Sequence, residues 1–364
     1  MERCTRFASL DFLLIFVMVI NTTKPRILII YTGGTIGMIE NPVTKALQPF
    51  DFTHLIDNVP KVKKLDYAIS NVQFEPPIDS SNMNPTHWAH IARTIEENYD
   101  RFDGFVVLHG TDTMAFTASA LSFMLEDLHK PVIITGSQLP IGEVRTDGEE
   151  NLITALQVAA ATDEHGDAMV QEVAILFENY LWRGNRSTKM SADNFNAFSS
   201  NNYPALAKIG LGITFNEKAL YRSPSRRPLK VRCNMDTNVM FLELYPGITH
   251  DTLSYLLHTP HMKGIVLKTY GAGNSPSEAW FTEAIKKAID GGIIIVNVTQ
   301  CVSGGVNDTL YDTGNCLNKA GVVSGRDITR EAAITKLMYL FGMQLSNEAV
   351  KKYMGCSLCG EITL

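Results

Sequence analysis

What this 364-residue chain lacks narrows its function before anything it contains does. It has no basic excess: 32 Lys and Arg stand against 38 Asp and Glu, a net charge of −6. Without a basic stripe to neutralise phosphates, nucleic acid is excluded as the main partner. Cysteine is scarce. Cys4, Cys233, Cys301, Cys316, Cys356 and Cys359 are too few for a disulfide framework in a chain this long, and reduced thiols are expected. Cys356 and Cys359 form a single C-x-x-C pair near the end, with no second pair and no His at ligand spacing. It reads as a feature of the tail, and no metal site is expected. Long apolar runs are also missing. Residues 12–20, behind Arg3 and Arg6, imitate a signal segment but are too short to span a bilayer. Asp11 abuts the run and no small-x-small cleavage pattern follows. A start at Met18 is the preferred reading, with 1–23 an extension and the protein cytoplasmic. Periplasmic export is the alternative. No membrane partner is expected.

What is present is a repeating pattern. At 45% hydrophobic residues the chain can fill two cores, and its length suggests two domains. Apolar runs of strand length empty one after another into polar Gly/Thr/Ser turns. Ile27-Leu28-Ile29-Ile30-Tyr31 leads into Thr32-Gly33-Gly34-Thr35-Ile36-Gly37, Phe105-Val106-Val107-Leu108 into His109-Gly110-Thr111-Asp112, and Pro131-Val132-Ile133-Ile134 into Thr135-Gly136-Ser137-Gln138. A strand is expected over 72–78 before Asp79-Ser80-Ser81, and helices over 85–99, 114–128 and 148–161. Strand, turn and helix in alternation indicate a parallel α/β sheet, whose ligands bind beyond the carboxyl ends of the strands. The alternation breaks over 214–236, where Ser223-Pro224-Ser225-Arg226-Arg227-Pro228 reads as a linker. The expected organisation is therefore a larger N-terminal parallel-sheet sandwich domain (24–213), a linker, and a smaller C-terminal α/β domain (237–364). Residues 40–49, rich in Pro and Asn, read as a loop long enough to act as a lid.

Two adjacent glycines let backbone N–H groups crowd a ligand where a Cβ would block approach, and Thr35 follows them. The turn is neither G-x-G-x-x-G with a following acidic residue nor G-x-x-x-x-G-K-[ST], so no dinucleotide or phosphate loop is implied and no cofactor is expected. By itself it is equally well a tight turn and nothing more. Four polar stretches are candidates to converge: the Thr35 turn, Asp79-Ser80-Ser81, Gly110-Thr111-Asp112, and Arg183-Gly184-Asn185-Arg186-Ser187-Thr188-Lys189. Together they offer hydroxyls, a carboxylate and a Lys. A Thr hydroxyl needs a neighbour to remove its proton, and a Lys beside an Asp and a second Thr can serve if burial lowers its affinity for protons. Turn N–H groups would then stabilise an acyl-transfer oxyanion. Against this, Asp79 and Ser80 are more often a helix N-terminal device, and a Lys such as Lys189 is more often a solvated charge.

These motifs carry a resemblance. T-G-G-T-I-G at 32–37, D-S-S-N-M at 79–83, H-G-T-D-T-M at 109–114, R-G-N-R-S-T-K at 183–189 and Y-G-A-G-N-S-P at 270–276 resemble, in the same order, those of bacterial-type L-asparaginases of the cytosolic type I branch. The resemblance runs from about residue 24 to 343. It implies hydrolysis of L-asparagine, with L-glutamine weaker, through an acyl-enzyme on Thr35. It matches Thr111, Asp112 and Lys189 to a second catalytic group, and Asp79, Ser80, Thr111, Asp112 and Asn274 to substrate contacts. Asn274 would come from a second subunit of a homo-oligomer, a dimer or a dimer of dimers. Thr188, Lys268 and Cys301 match a second, regulatory asparagine site, with Lys268 where a related chain has Arg, which turns a bidentate grip into a point charge. One departure stands out: family members carry a Tyr on the lid about ten residues after the nucleophile, and 43–48 hold none. A catalytically idle amino-acid-binding protein on the same scaffold is the rival reading.

Overall fold

A computed structural model describes residues 24–40, 47–49, 59–225, 227–307 and 312–364. The first domain is built on an eight-stranded sheet. Its strands are β1 (Arg26–Tyr31), β2 (Ala68–Gln73), β3 (Gly104–Leu108), β4 (Val132–Thr135), β5 (Val173–Phe177), β6 (Tyr180–Arg183), β7 (Ala207–Ile209) and β8 (Ile213–Phe215), in spatial order β8-β7-β6-β5-β4-β3-β1-β2. The five strands from β2 to β5 are parallel, and the last three are added antiparallel, so the sheet is mixed. Both faces are covered, which is why β1, β3 and β4 read as unbroken apolar runs. Leu28 and Ile30 face a layer made by α1 (Pro85–Asn98) and α2 (Met114–Met124), while Ile27, Ile29 and Tyr31 face α3 (Gly148–Ala160).

The second domain carries four parallel strands in sequence order, β9 (Val239–Glu243), β10 (Gly264–Thr269), β11 (Ile294–Thr299) and β12 (Val323–Ser324). Helices α4 (His250–Leu257) and α5 (Ala279–Asp290) pack on one face, with α6 (Asp312–Ala320) against α5. Helices α7 (Arg330–Gly342) and α8 (Asn347–Met354) pack on the other. Phe123 of α2 is buried in that second core with Leu337 and Phe341 of α7, so a helix pair joins the domains.

The helix starts follow local chemistry. Asn84 accepts hydrogen bonds from the N–H groups of Thr86 and His87 ahead of Pro85, and Thr329 accepts from Ala332 at 3.1 Å. Two expectations are corrected. The strand placed at 72–78 lies at 68–73, because Pro76 and Pro77 cannot donate to a ladder. The helix expected to reach 128 stops at Met124, where Leu125 and Glu126 pair instead with Lys230 and Val231. That pairing involves the stretch read as a linker, whose first residues, Thr214 and Phe215, belong to β8. Met38–Glu40 and Leu47–Pro49 pair as the arms of an antiparallel hairpin, and the expected lid tip at 41–46 lies outside the described residues, as do 1–23. No described helix is long and apolar enough to cross a membrane.

Candidate active site

The parallel strands deliver three turns to one place. Beyond β1, Thr32 donates its N–H to Leu108 O (3.0 Å) and accepts at its own carbonyl from Ile78 N (2.7 Å), tying the glycine turn between two neighbouring loops. Gly33 and Gly34 have φ of 131° and 93°. A Cβ on Gly34 would lie 2.5 Å from Gly110 N, and one on Gly33 would lie 2.2 Å from Ile78 O. Only glycine allows this approach. It brings the backbone just before Thr35 against the backbone just before Thr111. Thr35 then opens a short 3-10 turn, Thr35–Gly37, whose Gly37 carbonyl accepts from the buried Tyr31 hydroxyl at 2.8 Å. Burial pushes that phenol up to about 12, so Tyr31 stays a neutral donor.

Lys189 completes the group. Its Nζ lies 2.8 Å from Thr111 Oγ1 and 2.8 Å from Asp112 Oδ1. With Lys189 donating to it, Thr111 passes its own hydrogen to Gln138 Oε1 at 3.3 Å. Gln138 is a residue that sequence reasoning did not select as a site member, although it lies in one of the polar turns after a strand. Its amide nitrogen donates to the Ala192 and Asn194 carbonyls, and its backbone N–H, with that of Leu139, is held by the Asp147 carboxylate. Burial raises the Asp147 carboxyl above its ordinary value despite those donors.

Ser80 is buried, and a Cβ on Gly110 would lie 2.5 Å from its Oγ, so its hydroxyl borders the Gly110–Asp112 turn. Thr113 donates to Ser80 O at 2.7 Å. Asp79 caps the turn Ser80–Asn82 by accepting from Ser81 N at 2.9 Å. That donor lowers the Asp79 carboxyl, so the capping reading holds for this residue. Beneath the turn, His109 is buried and held neutral; burial pulls it down to about 4. Its Nδ1 lies 2.6 Å from Gly110 O and its Nε2 2.9 Å from Thr117 Oγ1, which also accepts from Trp88 Nε1. The Gly110 carbonyl requires a proton on Nδ1, leaving Nε2 to accept from Thr117.

The remaining predicted positions lie elsewhere. Asn274 sits in a tight turn of the second domain, where its N–H and carbonyl both pair with Tyr270. Thr188 donates to Glu331 Oε1 at 2.6 Å, Lys268 meets Glu243 at 2.5 Å, and Cys301 is exposed after β11. Three residues of the R-G-N-R-S-T-K motif face away from the site. Arg183 and Arg186 donate to Gly360 O and Asn185 to Cys359 O, clamping the C-terminal segment. There Lys336 and Glu361 form a fully buried ion pair at 2.6 Å. Cys359 is half-buried, and desolvation together with Glu361 pushes its thiol up, while Cys356 is exposed. Among the described residues no group of His, Cys, Asp and Glu could hold a metal ion.

Profiles of two families cover most of the chain: asparaginase, N-terminal, over residues 26–221, and glutaminase/asparaginase C-terminal domain over 238–354. The chain belongs to the asparaginase family. That family hydrolyses amide bonds, and this chain is an enzyme of that class. It is 44% identical to L-asparaginase 1 of Escherichia coli over 93% of its own length and 98% of the relative. The crystal structure of L-asparaginase I from Vibrio cholerae superposes with a TM-score of 0.86 at 41% identity, covering 94% of this chain and all of that one. A protein named 60 kDa lysophospholipase in Mus musculus is 40% identical over 93% of this chain and 63% of its own length. The asparaginase fold holds throughout, with its large mixed sheet and smaller parallel one.

Proposed function

We propose that this asparaginase converts L-asparagine to L-aspartate and ammonia, with Thr35 as the nucleophile. The observation that carries the reading is the Lys189 Nζ set 2.8 Å from both Thr111 and Asp112, against the glycine turn that presents Thr35. Thr35 Oγ attacks the side-chain amide carbon. Its proton passes to the departing nitrogen, and ammonia leaves an aspartyl ester on Thr35. Water, deprotonated by the Thr111–Asp112–Lys189 group, then cleaves the ester and returns the proton to Thr35. Turn N–H groups stabilise the oxyanion in both halves. Ser80 and Asp112, with Asp79 alongside, hold the α-carboxylate and α-amino groups so that the amide faces Thr35. Asn274 is supplied by a second copy of the chain in a dimer or dimer of dimers. Glutamine is the slower substrate, and Thr188, Lys268 and Cys301 are the regulatory candidates. The enzyme works in the cytoplasm.

Thr35→Ala should lower ammonia release from asparagine by roughly 10³-fold or more, with the circular dichroism and melting curve unchanged. Near-normal turnover in that variant would remove Thr35 from the nucleophile role. Absence of turnover in the unmodified chain would instead favour the idle amino-acid-binding reading.

A further inference from the structure

A cavity of about 370 Å³ opens between the two domains on a face that the proposed reaction does not use. That volume falls within the ordinary range for small-molecule sites. Phe123, Leu128, Leu340 and Met343 supply apolar walls. Asn185 lines it and is 1% exposed; its Nδ2 is spent on Cys359, while its Oδ1 has no partner among the described residues. A buried acceptor left unmatched costs about 1–3 kcal/mol, so this oxygen asks for a donor.

The charges around the cavity say which donor. Three carboxylates line it, Glu126, Asp127 and Glu172, against the guanidinium groups of Arg183 and Arg227. Glu172 is taken by Arg183 and the Tyr221 N–H, each at 2.6 Å. Glu126 is taken by Arg232 at 2.7 Å and by the Tyr339 hydroxyl. Asp127 is different. It is 12% exposed, and its side-chain partners among the described residues are the Ser223 hydroxyl, at a long 3.4 Å, and Arg227, 78% exposed and therefore a weak competitor. A buried acceptor and one weakly held carboxylate beside apolar walls match a protonated amine on an apolar body.

We propose that this cavity binds a small organic ammonium ion carrying a flat apolar arm, and that its occupancy tunes the Thr111–Asp112–Lys189 group. The coupling has a structural route. Phe123 lies near the end of α2, the helix that begins at Met114 directly after Thr111-Asp112-Thr113, and Asn185 lies four residues before Lys189. Both halves of the group are thus carried by elements that wall the cavity. Only the coupling rests on the reaction proposed above; binding is measured without turnover.

The test titrates the full chain with tryptamine by calorimetry, beside neutral tryptophol and anionic indole-3-acetate, which share the indole arm. Tryptamine should bind saturably and about tenfold more tightly than tryptophol, with indole-3-acetate weaker still. Asp127→Asn, whose side chain tolerates the φ of 57° found there, should weaken tryptamine about tenfold and leave tryptophol unchanged. Asn185→Leu should weaken both amine and alcohol. If that variant fails to fold, the charge series on the unmodified chain still decides. No saturable binding at millimolar tryptamine, equal binding of the three probes, or full affinity in Asp127→Asn would overturn the site. Saturable binding that leaves both kcat and KM for asparagine unchanged would overturn the coupling.

Discussion

Two lysine–carboxylate pairs in this molecule have nearly the same length and opposite surroundings. Lys189 meets Asp112 at 2.8 Å with the Asp112 side chain 65% exposed, and it also holds a Thr hydroxyl. Lys336 meets Glu361 at 2.6 Å with neither side chain exposed at all. The buried pair is saturated: Lys336 donates to the Cys356 carbonyl, and Glu361 accepts from the N–H groups of Leu358 and Cys359. Burial works to raise the Glu361 carboxyl, but Lys336 and those N–H groups outweigh it and hold the group below its ordinary value. One pair has its carboxylate open to water. The other is sealed, and its work is to fasten the C-terminal segment against the Arg183–Arg186 clamp. Distance alone does not separate them. Access to water does.

Substitution should split the pairs along that line. Lys189→Met is expected to lower asparagine turnover by roughly 10²–10⁴-fold with little change in thermal midpoint, read by ammonia release beside calorimetry. A large loss of stability would make Lys189 as structural as its buried counterpart. Glu361→Gln should act in the opposite sense, destabilising the fold by about 3–5 kcal/mol, because an unpaired Lys336 ammonium stays buried. Denaturant titration measures this, and the folded fraction should retain its kcat.

A pH experiment sharpens the comparison at another sealed group. His109 binds its proton near 4 in the folded chain and near 6.5 when unfolded, so between those values the unfolded state holds more protons. Its contribution is therefore fully present above pH 6.5 and is lost as pH falls toward 4, a cost of roughly 3 kcal/mol. Denaturation midpoints measured across that window should fall with pH, and the fall should be shallower in His109→Gln. Smallest of all, Asp103→Asn removes the exposed partner of Arg26, at 2.8 Å, and should cost under about 1 kcal/mol. A loss comparable with that of Glu361→Gln would break the rule that burial decides the weight of an ion pair.

Much of the fold was legible because each local signal agreed with its neighbours. The run Ile27 to Tyr31 is apolar throughout since both sheet faces are covered, and Asn84-Pro85 announces a helix by its own hydrogen-bonding chemistry. The strand near 72 was displaced because the apolar pattern continues into a stretch where two prolines prevent pairing. Helix α2 ends early because Leu125 and Glu126 pair with residues about a hundred positions away, which no local pattern encodes. At the candidate site, Thr35, Ser80, Thr111, Asp112 and Lys189 were proposed from the polar motifs that carry them. Gln138 was passed over because one amide in a polar turn resembles any other until its partners are visible.

By itself the sequence determined the alternation of strands and helices, the absence of a basic face, and the glycine pair that admits one backbone against another. It also marked the motifs of the asparaginase family, because those depend on residue type and order alone. Only the tertiary structure decided that Arg183, Asn185 and Arg186 of the R-G-N-R-S-T-K motif clamp the C-terminal segment while Lys189 meets Thr111 and Asp112. It alone distinguished the lysine paired with an exposed carboxylate from the sealed one, and it alone left Asn185 with an unanswered oxygen in a cavity. Burial and hydrogen-bond partners are properties of distant segments brought together, and they are what turn identical side chains to different ends.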